Sequence, residues 1–87
     1  MTHLFIRHQV ADFAKWKPLY DAHLTARQNA GLQEKNLLRS VDNPNDVVLL
    51  FEAEDLKKAQ AFTESSDLRE AMQKAGVVGK PDILFLS

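Results

Sequence analysis

Cysteine is absent from this 87-residue chain. That excludes a disulfide, a thiolate metal site and thiol catalysis together. Glycine and proline are sparse, three of each. The glycines, Gly31, Gly76 and Gly79, form no phosphate-cradling loop. No apolar run approaches the ~20 residues that a bilayer-spanning helix needs. The charge lacks an excess sign, with 11 Lys plus Arg against 12 Asp plus Glu and no block of either. That argues against a nucleic-acid or acidic-membrane partner held by electrostatics. The first residues, Met1 to His8, lack a basic stretch followed by a sustained apolar core, so no signal peptide is read and a cytoplasmic location is expected.

What is present is a normal globular apolar share, 45%. Size is the difficulty. A single domain of this length buries only about 64% of its unfolded surface, and such folds often need a staple. With cysteine excluded, a second copy of the chain is the natural one.

The pattern of elements follows from spacing and punctuation. Residues 3–10 read as a strand, rich in Leu, Phe, Ile and Val. Asp12 is a helix-capping type. Phe13, Trp16, Tyr20, Leu24 and Arg27 then recur at helical spacing up to Gly31. One nearly continuous helix over 12–30 is expected, irregular at its start because of Pro18. Residues 33–41 and 47–52 read as a hairpin around Asp42-Asn43-Pro44-Asn45-Asp46. Asp55 caps a second helical region with Leu56, Ala59 and Phe62 on one stripe. A new turn follows the Ser65-Ser66-Asp67 interruption, with Asp67 and Glu70 in capping-box spacing. Gly76 and Gly79 end the helical region, and residues 82–86 form the last strand after Pro81. The order β-α-β-β-α-β predicts an α+β ferredoxin-like fold: a four-stranded antiparallel sheet in a single domain over 1–87, helices on one face.

Alternation adds a demand. Val47, Leu49 and Phe51 occupy one face of their strand, and Val48 and Leu50 the other; Ile83 and Phe85 likewise oppose Leu84 and Leu86. The helices cover one face only, so the other is expected to be covered by the same face of a second chain.

The stretches Val10 to Pro18, Arg39 to Glu52 around Asn43-Pro44-Asn45-Asp46, and Ser66 to Met72 resemble the antibiotic-biosynthesis-monooxygenase-like family of the dimeric α+β barrel superfamily. The likeness covers nearly the whole chain. It implies two ferredoxin-like chains packed sheet to sheet, each with a pocket between sheet and helices. It also implies an activity drawn from cofactor-free oxygenation, haem degradation or small-lactone isomerisation, or no reaction at all. The better-known oxygenases and haem degraders use an Asn on strand one and a Trp in the second half of the chain. Here strand one has no Asn, the only Trp is Trp16, and no His follows His23. No catalytic set is carried over.

The candidate residues therefore come from spacing. His23 and Arg27 lie four apart on the helix face that carries Trp16 and Tyr20. In a pocket they would serve as proton acceptor and oxyanion partner for an acidic or enolic ligand; on a helix flank, His23 would reach solvent and Arg27 would lay its stem over an aromatic ring. His8, on strand one with Leu4, Ile6 and Val10, joins the pocket if that face meets the helices. Arg39 is a candidate anion clamp, or a structural ion pair with Glu52, which is also open to Arg7. Trp16, Tyr20 and Phe62 are expected in the core and along the pocket wall. Two histidines without a converging carboxylate make no metal site, and no cofactor is expected. The third strand lacks the basic, glycine-containing aromatic motif of RNA-recognition modules. The expectation is a homodimer binding a small oxygenated or aromatic compound, as a cofactor-independent monooxygenase or a cyclase or isomerase; the alternative is a non-catalytic ligand-binding or structural dimer.

Overall fold

The computed structural model describes residues 2–87. Strand β1 (Thr2–Val10) is followed by helices α1 (Phe13–Ala22) and α2 (Leu24–Asn29). Strands β2 (Leu32–Arg39) and β3 (Asp46–Ala53), helices α3 (Leu56–Glu64) and α4 (Ser66–Lys74), and strand β4 (Val77–Leu86) complete the chain. The four strands form one sheet in the order β2-β3-β1-β4, with every neighbouring pair antiparallel. This is the ferredoxin-like arrangement the element order predicts.

Both helical regions differ from expectation in where they break. Asp12 is extended and its carboxylate accepts from the Ala14 N–H at 2.9 Å, so the start of α1 is regular. Pro18 sits inside α1 without ending it. The interruption falls instead at His23, which closes α1 and opens α2. There the Tyr20 carbonyl accepts from the His23 N–H at 3.1 Å and from Arg27 Nη1 at 2.7 Å, so a side chain satisfies a helix-end acceptor. In the second region the capping residue is Ser65, not Asp67. Its Oγ accepts from the Leu68 N–H at 3.1 Å and donates to the Phe62 carbonyl at 2.8 Å, joining the end of α3 to the start of α4.

The last strand begins five residues earlier than residue 82. Gly76, at φ +82, follows α4 in the left-handed conformation that ends helices. β4 then runs through Gly79 (φ +72) and Pro81, and its pairing with β1 shifts register between Arg7 and Gln9. Such an irregularity on an edge strand is where a sheet tolerates proline. The hairpin turn is tied to α1: Asn45 Oδ1 accepts from the Phe13 N–H at 2.9 Å, and its carbonyl accepts from the Val10 N–H at 2.8 Å.

The core lies between sheet and helices. Leu4, Val47 and Phe51 are its largest fully buried side chains, with Ile6, Leu49, Trp16 and Ala59 around them. The opposite sheet face carries Phe5, Leu38, Val48, Leu50, Leu84 and Leu86, brought side by side by the pairings Phe5 with Leu50 and Leu84, and Leu38 with Val48. Leu38 is 55% exposed and Leu84 53%. Polar pairs flank this patch: Arg7 with Asp46 at 2.8 Å, and Lys35 with Glu52 at 3.4 Å. Glu52 thus serves neither Arg7 nor Arg39. The pairing with Asp46 holds that carboxyl below its ordinary 3.8, chiefly through the Arg7 hydrogen bond. Among the described residues, no helix is long and apolar enough to cross a membrane.

Candidate functional site

A cavity of about 60 Å³ lies between the helix-facing side of the sheet and the helices. Its floor is Ile6 and His8 of β1, Leu49 and Phe51 of β3 and Ile83 of β4. Trp16, Leu19, Tyr20, His23 and Arg27 of the first helical region form one wall. Phe62 of α3 and Leu68, Ala71, Met72 and Ala75 at the second helical region form the other. Leu19 is 49% exposed and His23 is half-buried, so the cavity has a solvent-facing side there.

Of the seven residues singled out from sequence, six line this cavity: His8, Trp16, Tyr20, His23, Arg27 and Phe62. Arg39 does not. Its guanidinium lies 3.8 Å from the centroid of the Phe13 ring and its Nε donates to the Pro44 carbonyl at 2.9 Å. The short hairpin brings Pro44 within reach of Arg39 and Asn45 brings Phe13 there, so the residue braces the turn.

The wall along α1 is an aromatic row. Phe13 and Trp16 have ring centroids 5.6 Å apart, and Trp16 and Tyr20 stack at 4.7 Å. The Arg27 guanidinium lies 3.8 Å over the Tyr20 ring. Tyr20 donates its hydroxyl proton to Glu34 at 2.6 Å; burial, then that hydrogen bond, pushes the phenol pKa up. Glu34 was not legible as a partner, because the contact joins β2 to α1 across a gap in sequence that no motif bridges.

Two features of the site stand out electrostatically. Arg27 is only 6% exposed, yet no carboxylate among the described residues pairs with it. Its positive charge is met by the Tyr20 carbonyl and by the Tyr20 ring. His8 is equally buried, and both its ring nitrogens lie without a hydrogen-bond partner. Its closest aromatic neighbour is Trp16, edge-on at 5.5 Å. Burial lowers the His8 pKa from 6.5, with the Asp46 carboxylate opposing more weakly. His23 makes a looser contact, its ring 6.1 Å from that of Phe62. Among the described residues no three His, Cys, Asp or Glu side chains gather as a metal site would require.

No family model matches the chain, and no curated protein matches it in sequence. Solved structures do match in fold. A candidate antibiotic biosynthesis monooxygenase from Bordetella bronchiseptica superimposes with a TM-score of 0.79 at 16% identity, covering 99% of this chain and 94% of its own. SnoaB, a cofactor-independent oxygenase from Streptomyces nogalater, gives 0.74 at 13% identity, over 99% and 90%. A second candidate monooxygenase, from Nitrosomonas europaea, gives 0.65 at 18% identity, over 100% and 97%. The chain therefore has, from end to end, the fold of the antibiotic-biosynthesis-monooxygenase-like structures, as the resemblance implied.

Proposed function

We propose that this chain is a homodimeric small-molecule-binding protein whose cavity promotes proton abstraction from a small oxygenated compound, in the manner of a cofactor-independent oxygenase or an isomerase. The observation that carries the reading is Arg27. A buried guanidinium without an anion is costly, and the wall of an apolar cavity is where a developing oxyanion would answer it. His23, on the same wall at the helix break, supplies a ring nitrogen at the solvent-facing side. In this scheme the substrate C–H proton passes to the His23 imidazole, and the electron pair moves onto the carbonyl oxygen as an enolate facing Arg27. In an isomerase the proton returns at another carbon. In an oxygenase, dioxygen takes electrons from the enolate; one oxygen atom ends in the product carbonyl and the other in water. The likeness in fold to SnoaB supports the second branch. Dimerisation through the apolar sheet face accords with that face's exposed leucines.

The test is hydrogen–deuterium exchange into a small 1,3-diketone such as pentane-2,4-dione, followed by NMR. The protein is expected to accelerate exchange, and His23→Ala to lower the rate by at least about 100-fold. Arg27→Met should lower it comparably. If the wild type gives no acceleration while still binding the diketone, the chain is a ligand-binding dimer without catalysis. The cavity volume of about 60 Å³ argues against polycyclic ligands under either reading, since drug-sized ligands occupy pockets of about 300 Å³ or more.

A further inference from the structure

His8 plays no part in that scheme, and its position is the least explained in the molecule. Its side chain is on the cavity floor, 6% exposed, with two polar atoms and no protein partner for either. Leaving such a group unpaired is destabilising, because its lost hydration is not replaced. Residues with no polar atoms would pack there at no such cost, as Ile6 and Leu49 do beside it. Among the described residues, no side chain on the surrounding elements bonds to either nitrogen. Phe62 on α3 and Leu68, Ala71, Met72 and Ala75 on and after α4 are apolar. Of the polar groups on the helical wall, the Trp16 indole packs edge-on to His8 without bonding either of its nitrogens, Arg27 is turned to the Tyr20 carbonyl and ring, the Tyr20 hydroxyl to Glu34, and His23 toward Phe62. Asp46, on β3, is held by Arg7.

From this geometry we infer that His8 is the hydrogen-bonding anchor for the ligand, and that the ligand is a small uncharged molecule with an apolar body and a hydroxyl group, of the simple phenol or enol class. The inference rests on the cavity being a small-molecule site and adds which residue fixes the ligand and which chemistry it recognises. A neutral imidazole has one N–H donor and one bare nitrogen acceptor. A hydroxyl complements either, donating to the bare nitrogen or accepting from the N–H. A carboxylate would complement only the N–H, and an alkyl group neither. The cavity volume, about 60 Å³, admits the polar end and part of a ring. An engineered cavity that holds benzene measures about 150 Å³. The remainder of a single ring would lie toward Leu19 and His23 at the open side. A second fused ring would have to displace Phe62 or Met72.

Acid should oppose binding. Proton uptake at His8 would place a second positive charge in the cavity with Arg27, and burial already disfavours it. The occupied form is the neutral one, so affinity is flat down to the lowered pKa of folded His8 and falls only as pH drops below that.

Phenol and toluene, which differ by a hydroxyl for a methyl, make the test, with benzoate as the anionic control. Each is titrated into wild type, His8→Leu and His8→Asn, with binding followed by calorimetry and by the imidazole nitrogen shifts of the wild-type protein. Phenol is expected to move the His8 nitrogen resonances and to lose roughly tenfold in affinity in His8→Leu. Toluene should bind the two proteins alike, and His8→Asn should recover part of the phenol affinity. Equal phenol affinity in wild type and His8→Leu, or His8 nitrogen shifts unmoved at saturation, would overturn the role of His8 while leaving the cavity as a ligand site. If none of the three compounds binds the wild type, the small-molecule reading falls and this inference with it. The nitrogen shifts come from the unaltered protein, so a poorly folded variant does not block the answer.

Discussion

At the scale of single residues, the site is a set of polar atoms placed where the core should be dry. His8 shows what this does to stability. A base whose folded pKa lies below its ordinary 6.5 binds fewer protons when folded than when unfolded. Its contribution therefore turns unfavourable as pH falls through and below 6.5, and is absent above. Urea titrations at fixed protein concentration from pH 8 to pH 4.5 should show wild-type stability declining below pH 6.5. In His8→Leu that part of the decline should vanish, with stability at pH 8 equal to or above wild type. A parallel decline in both proteins would mean that His8 is protonated without penalty. His8, His23 and Arg27 were legible as candidates because strand alternation groups His8 with Leu4, Ile6 and Val10, and helical spacing groups His23 and Arg27 with Trp16 and Tyr20; spacing alone does not fix which way those faces look. That both nitrogens of His8 go unpartnered was not legible, since satisfaction depends on seven elements meeting. Nor was the place of Arg39: its reach to Pro44 and Phe13 is set by the three-dimensional path of the hairpin.

Secondary-structure elements carry the next layer, and here the joints matter more than the lengths. The cavity is walled by two broken helical regions, and each break is secured by few hydrogen bonds. At the α3–α4 joint Ser65 Oγ caps the Leu68 N–H and adds a second hydrogen bond to the Phe62 carbonyl, which also accepts from the Ser65 N–H. Ser65→Ala should cost about 1 kcal/mol, a fall in Tm of roughly 4–8 °C for a domain of this size. Thermal unfolding monitored by circular dichroism checks this, and an unchanged Tm would mean water serves the joint as well. The interruption near Ser65 was visible as a run of turn-forming residues. Its capping partner was misplaced by two positions because Asp67 and Glu70 also have capping-box spacing. The break at His23 carried no local signal, since Pro18 is the conspicuous helix-breaker and the chain passes through it. What secures the break is a side chain from the next helix: Arg27 of α2 joins the His23 N–H in bonding the Tyr20 carbonyl, in the last turn of α1. The early start of β4 was hidden for the opposite reason, as Gly79 and Pro81 read as loop wherever no edge strand accommodates them.

For the molecule as a whole, the surface is the open account. The single chain exposes 5663 Å², against about 5,200 Å² for a typical monomer of 9.9 kDa. Part of the surplus lies on the bare sheet face with Leu38, Leu84 and Leu86. Under the proposed assembly, that patch meets its copy, and the Arg7–Asp46 pair stands at its edge. Leu84→Lys should then convert a dimer into a 9.9 kDa species in sedimentation at micromolar concentration. It should also lower stability, because the lost interface is part of what opposes unfolding. Wild type sedimenting as the smaller species would remove the dimer from the proposal. The bare apolar face itself was the most legible feature of all: alternation alone puts apolar residues on both faces of β3 and β4, and one layer of helices cannot reach both.

The aromatic row on α1 has an optical consequence. Trp16 is the only tryptophan in the chain. It lies between Tyr20 and Phe13 and touches His8 edge-on, 2% exposed in the cavity wall. Every indole photon the protein emits therefore originates at the candidate site. A ligand entering the cavity, a proton arriving at His8 and a helix lifting from the sheet each alter the surroundings of that one fluorophore. The chain carries its own label where its chemistry is proposed to occur, and unmodified protein suffices to follow the site in solution.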